Sequence, residues 1–205
     1  KEAIGSAKNK ESCLDTLILY RVTVWTKEER KILRALTTPA RVQDYLNSIP
    51  FNKEVEGATC LSPRQVMTQK RANCLEGAFF AACALRVHGD EPLLLDLEAS
   101  GEDDDHVVAL FRRRGYWGAI SKTNHAVLRY REPIYKTLRE LALSYFHEYF
   151  LQSNGRKTLR SFSRPVRLSR FDKQEWMTSH EPLWYIRDHL YTISHSPLLS
   201  RTQMI

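Results

Sequence analysis

Several features that mark common classes of protein are missing from this sequence. No apolar run approaches the roughly 20 residues that a membrane-spanning helix needs, so no membrane segment is expected. The four cysteines form no CxxC pair and have no zinc-ligand spacing. The acidic run at residues 102–105 fits no EF-hand loop, and the chain contains no internal repeat. We therefore expect no metal site and no cofactor.

The first residues bear on the expected compartment. Residues 1–11 are polar and lack the apolar segment of a secretory signal peptide. Without an export signal, reduced thiols are expected. The sequence therefore predicts a cytoplasmic protein with no membrane partner.

Length and composition predict a single folded domain. The 205 residues are 42% hydrophobic, which is enough for a substantial core. We expect a flexible lead-in at residues 1–12, one domain at residues 13–195 and a tail at residues 196–205. The sequence indicates no oligomeric state.

Charge is unevenly distributed along the chain, whose net charge is +7. Residues 90–105 contain eight acids and no lysine or arginine, whereas residues 155–174 contain seven bases and one acid. A solvated face explains the basic segment, since no nucleic-acid-binding motif accompanies it. We expect no nucleic-acid partner, and phosphate binding through Arg164, Arg167 and Arg170 is the weakest of three functional hypotheses.

Apolar periodicity and capping residues predict an α+β fold. Helices are expected at residues 27–36, 39–48, 63–67, 74–88 and 133–150. Strands are expected at residues 93–97, 106–111, 116–121 and 165–168, while residues 14–25 fit either a strand or a buried helix. The predicted architecture is an antiparallel sheet packed against a central helix, with additional helices.

Cys74 differs from the other cysteines because it opens a predicted helix. Asn73 and Glu76 form an Asn-x-x-Glu capping pattern, which makes Cys74 the first helical residue. Its sulfur then lies near unpaired backbone N–H groups and the positive end of the helix dipole. Both favour the thiolate, and the same N–H groups can hold an oxyanion. We therefore expect a nucleophile whose pKa lies below that of a free thiol.

His106 lies 32 residues after Cys74, at the start of a predicted strand. A strand holds an imidazole rigidly, as a general base requires. The acidic loop before His106 is expected to favour the protonated ring. A residue on the next strand is expected to accept a hydrogen bond from the second ring nitrogen and fix the tautomer.

Together these segments resemble the transglutaminase-like superfamily of papain-fold cysteine enzymes. The matching residues are Cys74 in Asn-Cys-Leu-Glu-Gly-Ala, His106 in Asp-His-Val-Val-Ala-Leu, and the strand Tyr-Trp-Gly-Ala-Ile-Ser. The resemblance covers residues 61–124, under a third of the chain, and the flanking segments are similar to those of bacterial proteins of this type. It implies hydrolysis, deamidation or acyl transfer to an amine, on a protein, peptide or small amide substrate.

The resemblance also implies an aspartate four residues after the tryptophan of the third segment. Counted from Trp117, that position is Ser121, which can accept a hydrogen bond from histidine but supplies no negative charge. Asn124 is the alternative if the strand bulges. The first hypothesis is therefore a thiol enzyme using Cys74, His106 and either Ser121 or Asn124. The second is a binding module that has kept the fold and lost catalysis.

Two further candidate roles concern a glutamine and a tryptophan. Gln69, with Gln65 as its rival, is similar in position to the glutamine that helps to hold the oxyanion in papain-like enzymes. Trp117 is a candidate substrate-binding residue, with packing beneath the strand pair as the alternative. An exposed position on a helix is the alternative for either glutamine.

Overall fold

A computed structural model of the chain describes residues 25–203. The lead-in predicted at residues 1–12 lies outside the described residues, as does nearly all of the segment at residues 14–25. The chain divides into two compact units between Ala35 and Leu36.

The described part of the first unit contains one helix, α1 (Lys27–Ala35). Its beginning is capped reciprocally, as the Glu29 N–H donates to the Thr26 hydroxyl (3.1 Å) and the Thr26 N–H donates to the Glu29 carboxylate (2.7 Å). Arg34 in the last turn complements the helix dipole. The helix predicted at residues 27–36 is confirmed.

Side-chain caps set the beginnings of helices in the second unit. Thr38 accepts a hydrogen bond from the Arg41 N–H (3.2 Å), and Ser62 forms reciprocal bonds with Gln65. Proline follows both caps, where its missing N–H leaves no helical hydrogen bond unmade. The helices are α2 (Pro39–Ser48), α3 (Pro63–Gln69), α4 (Cys74–Val87), α5 (Leu138–Phe146) and α6 (Trp184–Thr192).

The strands of the second unit form one antiparallel sheet. They are β1 (Leu93–Ala99), β2 (His106–Arg113), β3 (Tyr116–Ile120), β4 (Arg131–Tyr135), β5 (Leu159–Ser163), β6 (Val166–Arg167) and β7 (His195–Pro197). Their order is β4-β3-β2-β1-β5-β7, and β6 also pairs with β1. The predicted α+β class with an antiparallel sheet is confirmed, and β1 and β2 lie in the middle of that sheet.

The middle of the sheet is buried on both faces. Leu95 and Leu97 of β1 belong to a core cluster that includes Leu141 and Tyr145 of α5. Because side chains alternate along a strand, Leu94 and Asp96 point to the other face. Helix α4 packs against β2, and small residues between Ala78 and Ala84 allow the close approach.

The helix predicted at residues 133–150 is wrong in its first part. Residues 131–135 form β4, and a cap at Thr137 starts α5 only at Leu138. Pro133 has no N–H to donate, but β4 is an edge strand, where that donor is not needed. Pro133 is therefore compatible with an edge strand, and it does not begin a helix.

The first residues of the tail predicted at residues 196–205 pair with the sheet. Strand β7 pairs with β5 in register from Ser161 opposite Pro197 to Ser163 opposite His195. Leu198 is buried beside it, so the chain continues to contribute to the core here. The strand predicted at residues 165–168 is the shorter β6 (Val166–Arg167), followed by a 3₁₀ helix at Leu168–Gln174. Within residues 25–203, no helix combines the length and the apolar character needed to cross a membrane.

Gly77 allows the segment after β3 to approach the first turn of α4. A Cβ atom placed on Gly77 would lie 2.3 Å from the Lys122 Cβ. Real side chains do not approach so closely, and the obstructing atom is at the rigid base of Lys122 rather than at its flexible end. Glycine at this position therefore determines how near Ser121 and Lys122 come to the helix that carries Cys74.

Replacing Gly77 tests this approach. We expect Gly77→Ala to lower the free energy of unfolding by about 1–3 kcal/mol, because the helix and the segment must separate. Gly101→Ala is the matched control, since nothing lies within 4 Å of its added Cβ. Urea denaturation measures both, and equal stability of the two variants would contradict the packing role of Gly77.

Candidate active site

A cleft of about 710 Å³ opens where α4 and β2 begin. Cys74 and His106, the first residues of these two elements, both line it. The walls also include residues of the loop at 51–59, the acidic loop before β2, the segment at 123–128 and α6. The fold thus brings the two residues singled out in the sequence to one solvent-accessible site.

The start of α4 is fixed by the capping box that the sequence predicts. The Asn73 side chain accepts a hydrogen bond from the Glu76 N–H (3.0 Å), and the Asn73 N–H donates to the Glu76 carboxylate (2.8 Å). Cys74 is therefore the first residue of the helix. The N–H groups of Cys74 and Leu75 precede the helical ladder and have no intrahelical acceptor.

Glu76 also ties this helix start to the preceding loop. Its carboxylate is fully buried and accepts three further hydrogen bonds, from the Asn52 amide (3.0 Å), the Thr59 hydroxyl (2.6 Å) and the Leu61 N–H (3.0 Å). A buried carboxylate is tolerable when such donors replace water. The loop that forms one wall of the cleft is therefore anchored to the turn that presents Cys74.

His106 is held by Ser121 in one defined tautomer. Its Nε2 lies 2.8 Å from the Ser121 Oγ, and that hydroxyl lies 2.5 Å from the Leu128 carbonyl oxygen. A carbonyl can only accept, so the single hydroxyl proton points to Leu128 and Nε2 must donate to Oγ. The other nitrogen, Nδ1, then carries no proton in the neutral ring. It has no hydrogen-bond partner within residues 25–203 and is not an enclosed atom, so it faces the cleft.

Helix α2 clamps the backbone of Ser121. The Gln43 side chain accepts a hydrogen bond from the Ser121 N–H (2.9 Å) and donates to the Ser121 carbonyl oxygen (2.8 Å). Lys122 donates to the carbonyl oxygens of Leu46 and Ile49 at the end of the same helix. No sequence motif identifies Gln43 as part of the site. Its one signal is that a polar residue follows the apolar Val42 in an amphipathic helix.

Burial reverses the expected charge states of the two candidate catalytic residues. It raises the pKa of the Cys74 thiol to about 11, and nearby backbone groups lower that pKa by less. It also lowers the pKa of His106 to about 4, with His125 and Arg131 acting in the same direction. The expectations of a depressed thiol pKa and a protonated imidazole are therefore wrong, because desolvation disfavours both charged forms. Within residues 25–203, no hydrogen bond links the sulfur to the ring.

The remaining candidate residues are not brought to His106. Asn124 is exposed and lines the cleft, but Ser121 is the residue bonded to the ring. Trp117 lies outside the cleft and packs against the core cluster, with the Arg112 guanidinium over its ring. Its substrate-binding role is thus not supported, because β3 turns that side chain towards α5.

Neither glutamine lines the cleft. Gln69 is exposed in the last turn of α3, and its side chain accepts a hydrogen bond from Arg71 (3.1 Å). Gln65 belongs to the capping box of α3 and donates to the His180 carbonyl oxygen (2.7 Å). A glutamine oxyanion donor therefore stays a prediction.

The basic segment at residues 155–174 is partly neutralised. Arg156 pairs with Glu102 and Arg167 pairs with Glu91, so two of its bases meet acids of the segment at residues 90–105. Asp172 pairs with Arg86 of α4. The first two pairs join the two oppositely charged segments. Nucleic-acid binding by the basic segment stays the weakest of the three hypotheses.

Comparison with solved structures gives only distant likenesses. No protein-family model matches the chain, and no curated protein sequence matches it. Among solved structures, Legionella pneumophila LapG (EGTA-treated) overlaps 57% of this chain and 77% of that chain, at 12% sequence identity and a TM-score of 0.35. A likeness this distant does not establish a family or an activity.

The tautomer of His106 can be observed directly. We expect ¹⁵N NMR at pH 7 to show a neutral ring protonated at Nε2, because burial depresses its pKa to about 4. Between pH 8 and pH 5 the ring should stay neutral. Ser121→Ala should disturb this tautomer, whereas Ser121→Thr should preserve it by keeping the hydroxyl. A ring protonated at Nδ1, or an imidazolium at pH 6, would contradict the assignment.

Proposed function

We propose that this protein is a cysteine-dependent enzyme that transfers an acyl group from an amide through a thioester on Cys74. The observation that carries the proposal is the hydrogen bond from His106 Nε2 to Ser121, which leaves Nδ1 free on the cleft that also contains Cys74. An unprotonated imidazole nitrogen on the same cleft as a thiol offers the base that a cysteine nucleophile needs. The transglutaminase-like pattern in the sequence agrees with this chemistry.

The proposed reaction begins with a neutral thiol and a neutral imidazole. As the sulfur attacks the amide carbonyl, Nδ1 of His106 takes the thiol proton. Nδ1 then returns this proton to the leaving amine while the carbon–nitrogen bond breaks and a thioester remains on Cys74. Water or an amine attacks the thioester and gives its proton to Nδ1, and that proton returns to the departing sulfur. The products are an acid or a new amide, and the enzyme is regenerated.

The start of α4 supplies the proposed oxyanion site. The N–H groups of Cys74 and Leu75 lie next to the sulfur and have no helical acceptor. Asn73 lines the same cleft, and its side-chain oxygen is fixed by the Glu76 N–H. The amide nitrogen of Asn73 is thereby oriented and has no acceptor within residues 25–203, so it is a third donor for this role. These groups replace the glutamine that the resemblance implied.

Ser121 supplies orientation without charge. An imidazolium that forms during the reaction receives only a neutral hydrogen bond from the hydroxyl, where a carboxylate would add a charge–charge attraction. The proposed enzyme is therefore slow when compared with one that has an acid at this position. The same observation favours the second candidate function, a binding module that retains the fold.

Acylation by an activated ester tests the proposed function. With p-nitrophenyl acetate we expect an acetyl thioester on Cys74, detected by peptide mass spectrometry, and its loss in Cys74→Ala. His106→Gln should lower the acylation rate about 100-fold, as expected for removal of a general base. His125→Gln is the matched control, because that histidine lines the same cleft without contacting Ser121. Failure of the folded protein to acylate at Cys74 would support the binding module.

The raised thiol pKa predicts how alkylation depends on pH. We expect the rate of Cys74 modification by iodoacetamide to rise steadily from pH 7 towards pH 11, because the thiolate fraction grows about tenfold per unit below the pKa. Cys60 is buried and its pKa is raised to about 12, so it should react more slowly than Cys74. A plateau in the rate of Cys74 below pH 8 would show a depressed pKa. A rate no faster than that of Cys60 would argue against a nucleophile.

A further inference from the structure

Asp96 lines the cleft and is buried, and its carboxylate has no part in the proposed reaction. It is 5% exposed and lies in β1, opposite Val107 of β2. Asp96 and Cys74 both line this cleft. Asp96 interrupts the apolar run Leu-Leu-Leu-Asp-Leu of a buried strand.

One oxygen of Asp96 is held and the other is open. Its Oδ2 lies 3.0 Å from His195 Nε2, and the Nδ1 of the same ring lies 3.1 Å from the Ile193 carbonyl oxygen. Because that carbonyl can only accept, Nδ1 carries a proton, and one further proton joins Nε2 to Oδ2. Within residues 25–203, Oδ1 has no partner and is not an enclosed atom, while Asp96 lines the cleft. A ligand in the cleft can therefore reach Oδ1.

The surroundings of Asp96 are acidic. Five other carboxyl groups line the same cleft, from Glu54, Asp103, Asp104, Asp105 and Glu148. Among the described lining residues, Arg187 alone supplies a guanidinium or ammonium group, and it pairs with Asp188 at 2.7 Å. A concave surface lined by one sign of charge concentrates ligands of the opposite sign.

We propose that Asp96 determines the specificity of this cleft by binding an ammonium or guanidinium group of the substrate next to the reacting carbonyl. A charged donor completes the hydrogen bonding of a buried carboxylate that has one unmet oxygen. The inference rests on the proposed function and names its substrate class, which is cationic. Acidic peptides are poor substrates, because the carboxyl groups of the cleft repel them.

Charged thiol reagents test this proposal without a known substrate. We compare modification of Cys74 by cationic 2-aminoethyl methanethiosulfonate, anionic 2-sulfonatoethyl methanethiosulfonate and neutral methyl methanethiosulfonate, followed by peptide mass spectrometry. The wild-type chain should react about tenfold faster with the cationic than with the anionic reagent at low salt. Asp96→Asn should remove most of this preference, while Asp96→Glu retains it.

Asp104→Asn is the control for the general field of the cleft, since Asp104 is an exposed acid of the same wall. It should change the cation preference less than Asp96→Asn does. Equal preferences in wild type and Asp96→Asn would overturn the proposal, as would a wild-type chain without preference. The neutral reagent reports the nucleophile separately. If the protein prefers the cationic reagent but is not acylated by the activated ester, the cation site is supported and the proposed enzymatic function is contradicted.

Two further arms separate the sources of the cation. If the cation belongs to the acyl donor, p-nitrophenyl 4-guanidinobenzoate should acylate Cys74 about tenfold faster than p-nitrophenyl benzoate, and Asp96→Asn should reduce the ratio. If it belongs to the attacking amine, cadaverine should deacylate the benzoyl enzyme faster than pentylamine does, with the same dependence on Asp96. If Asp96→Asn leaves both rate ratios unchanged, Asp96 does not determine the specificity.

Discussion

The presentation of Cys74 depends on one buried carboxylate. Glu76 receives hydrogen bonds from the Asn73 backbone and from three groups of the preceding loop, so it fixes the helix start and the cleft wall together. Removing the carboxylate would leave buried donors without acceptors, which is more damaging than the loss of a single bond. The candidate nucleophile is therefore held by a structural hydrogen-bond network.

A second network holds the proposed base, and it contains no charge next to the ring. Ser121 accepts from His106, donates to Leu128 and is clamped by Gln43. Gly77 permits this segment to lie against α4. The result is a rigid neutral pair in which burial, rather than a carboxylate, sets the protonation states of thiol and imidazole.

Local features of the sequence predicted local structure well. The capping pattern of Asn73 and Glu76 needs only neighbouring residues, and it occurs as expected. The helix start predicted at Pro133 is wrong because proline is compatible both with a first helical turn and with an edge strand. Only the order of strands in the sheet distinguishes the two. Sequence position could not show whether Gln69 lines the cleft, because the direction of its side chain depends on where α3 packs.

The sequence by itself determined the α+β class, the helix that begins at Cys74 and the strand that begins at His106, because these follow from caps and periodicity. Tertiary structure alone decided that Ser121 rather than Asn124 meets the ring, that Gln43 holds the Ser121 backbone and that Asp96 lines the cleft. It also decided the direction of both pKa shifts. Desolvation depends on everything packed around a group, which spacing along a chain does not contain.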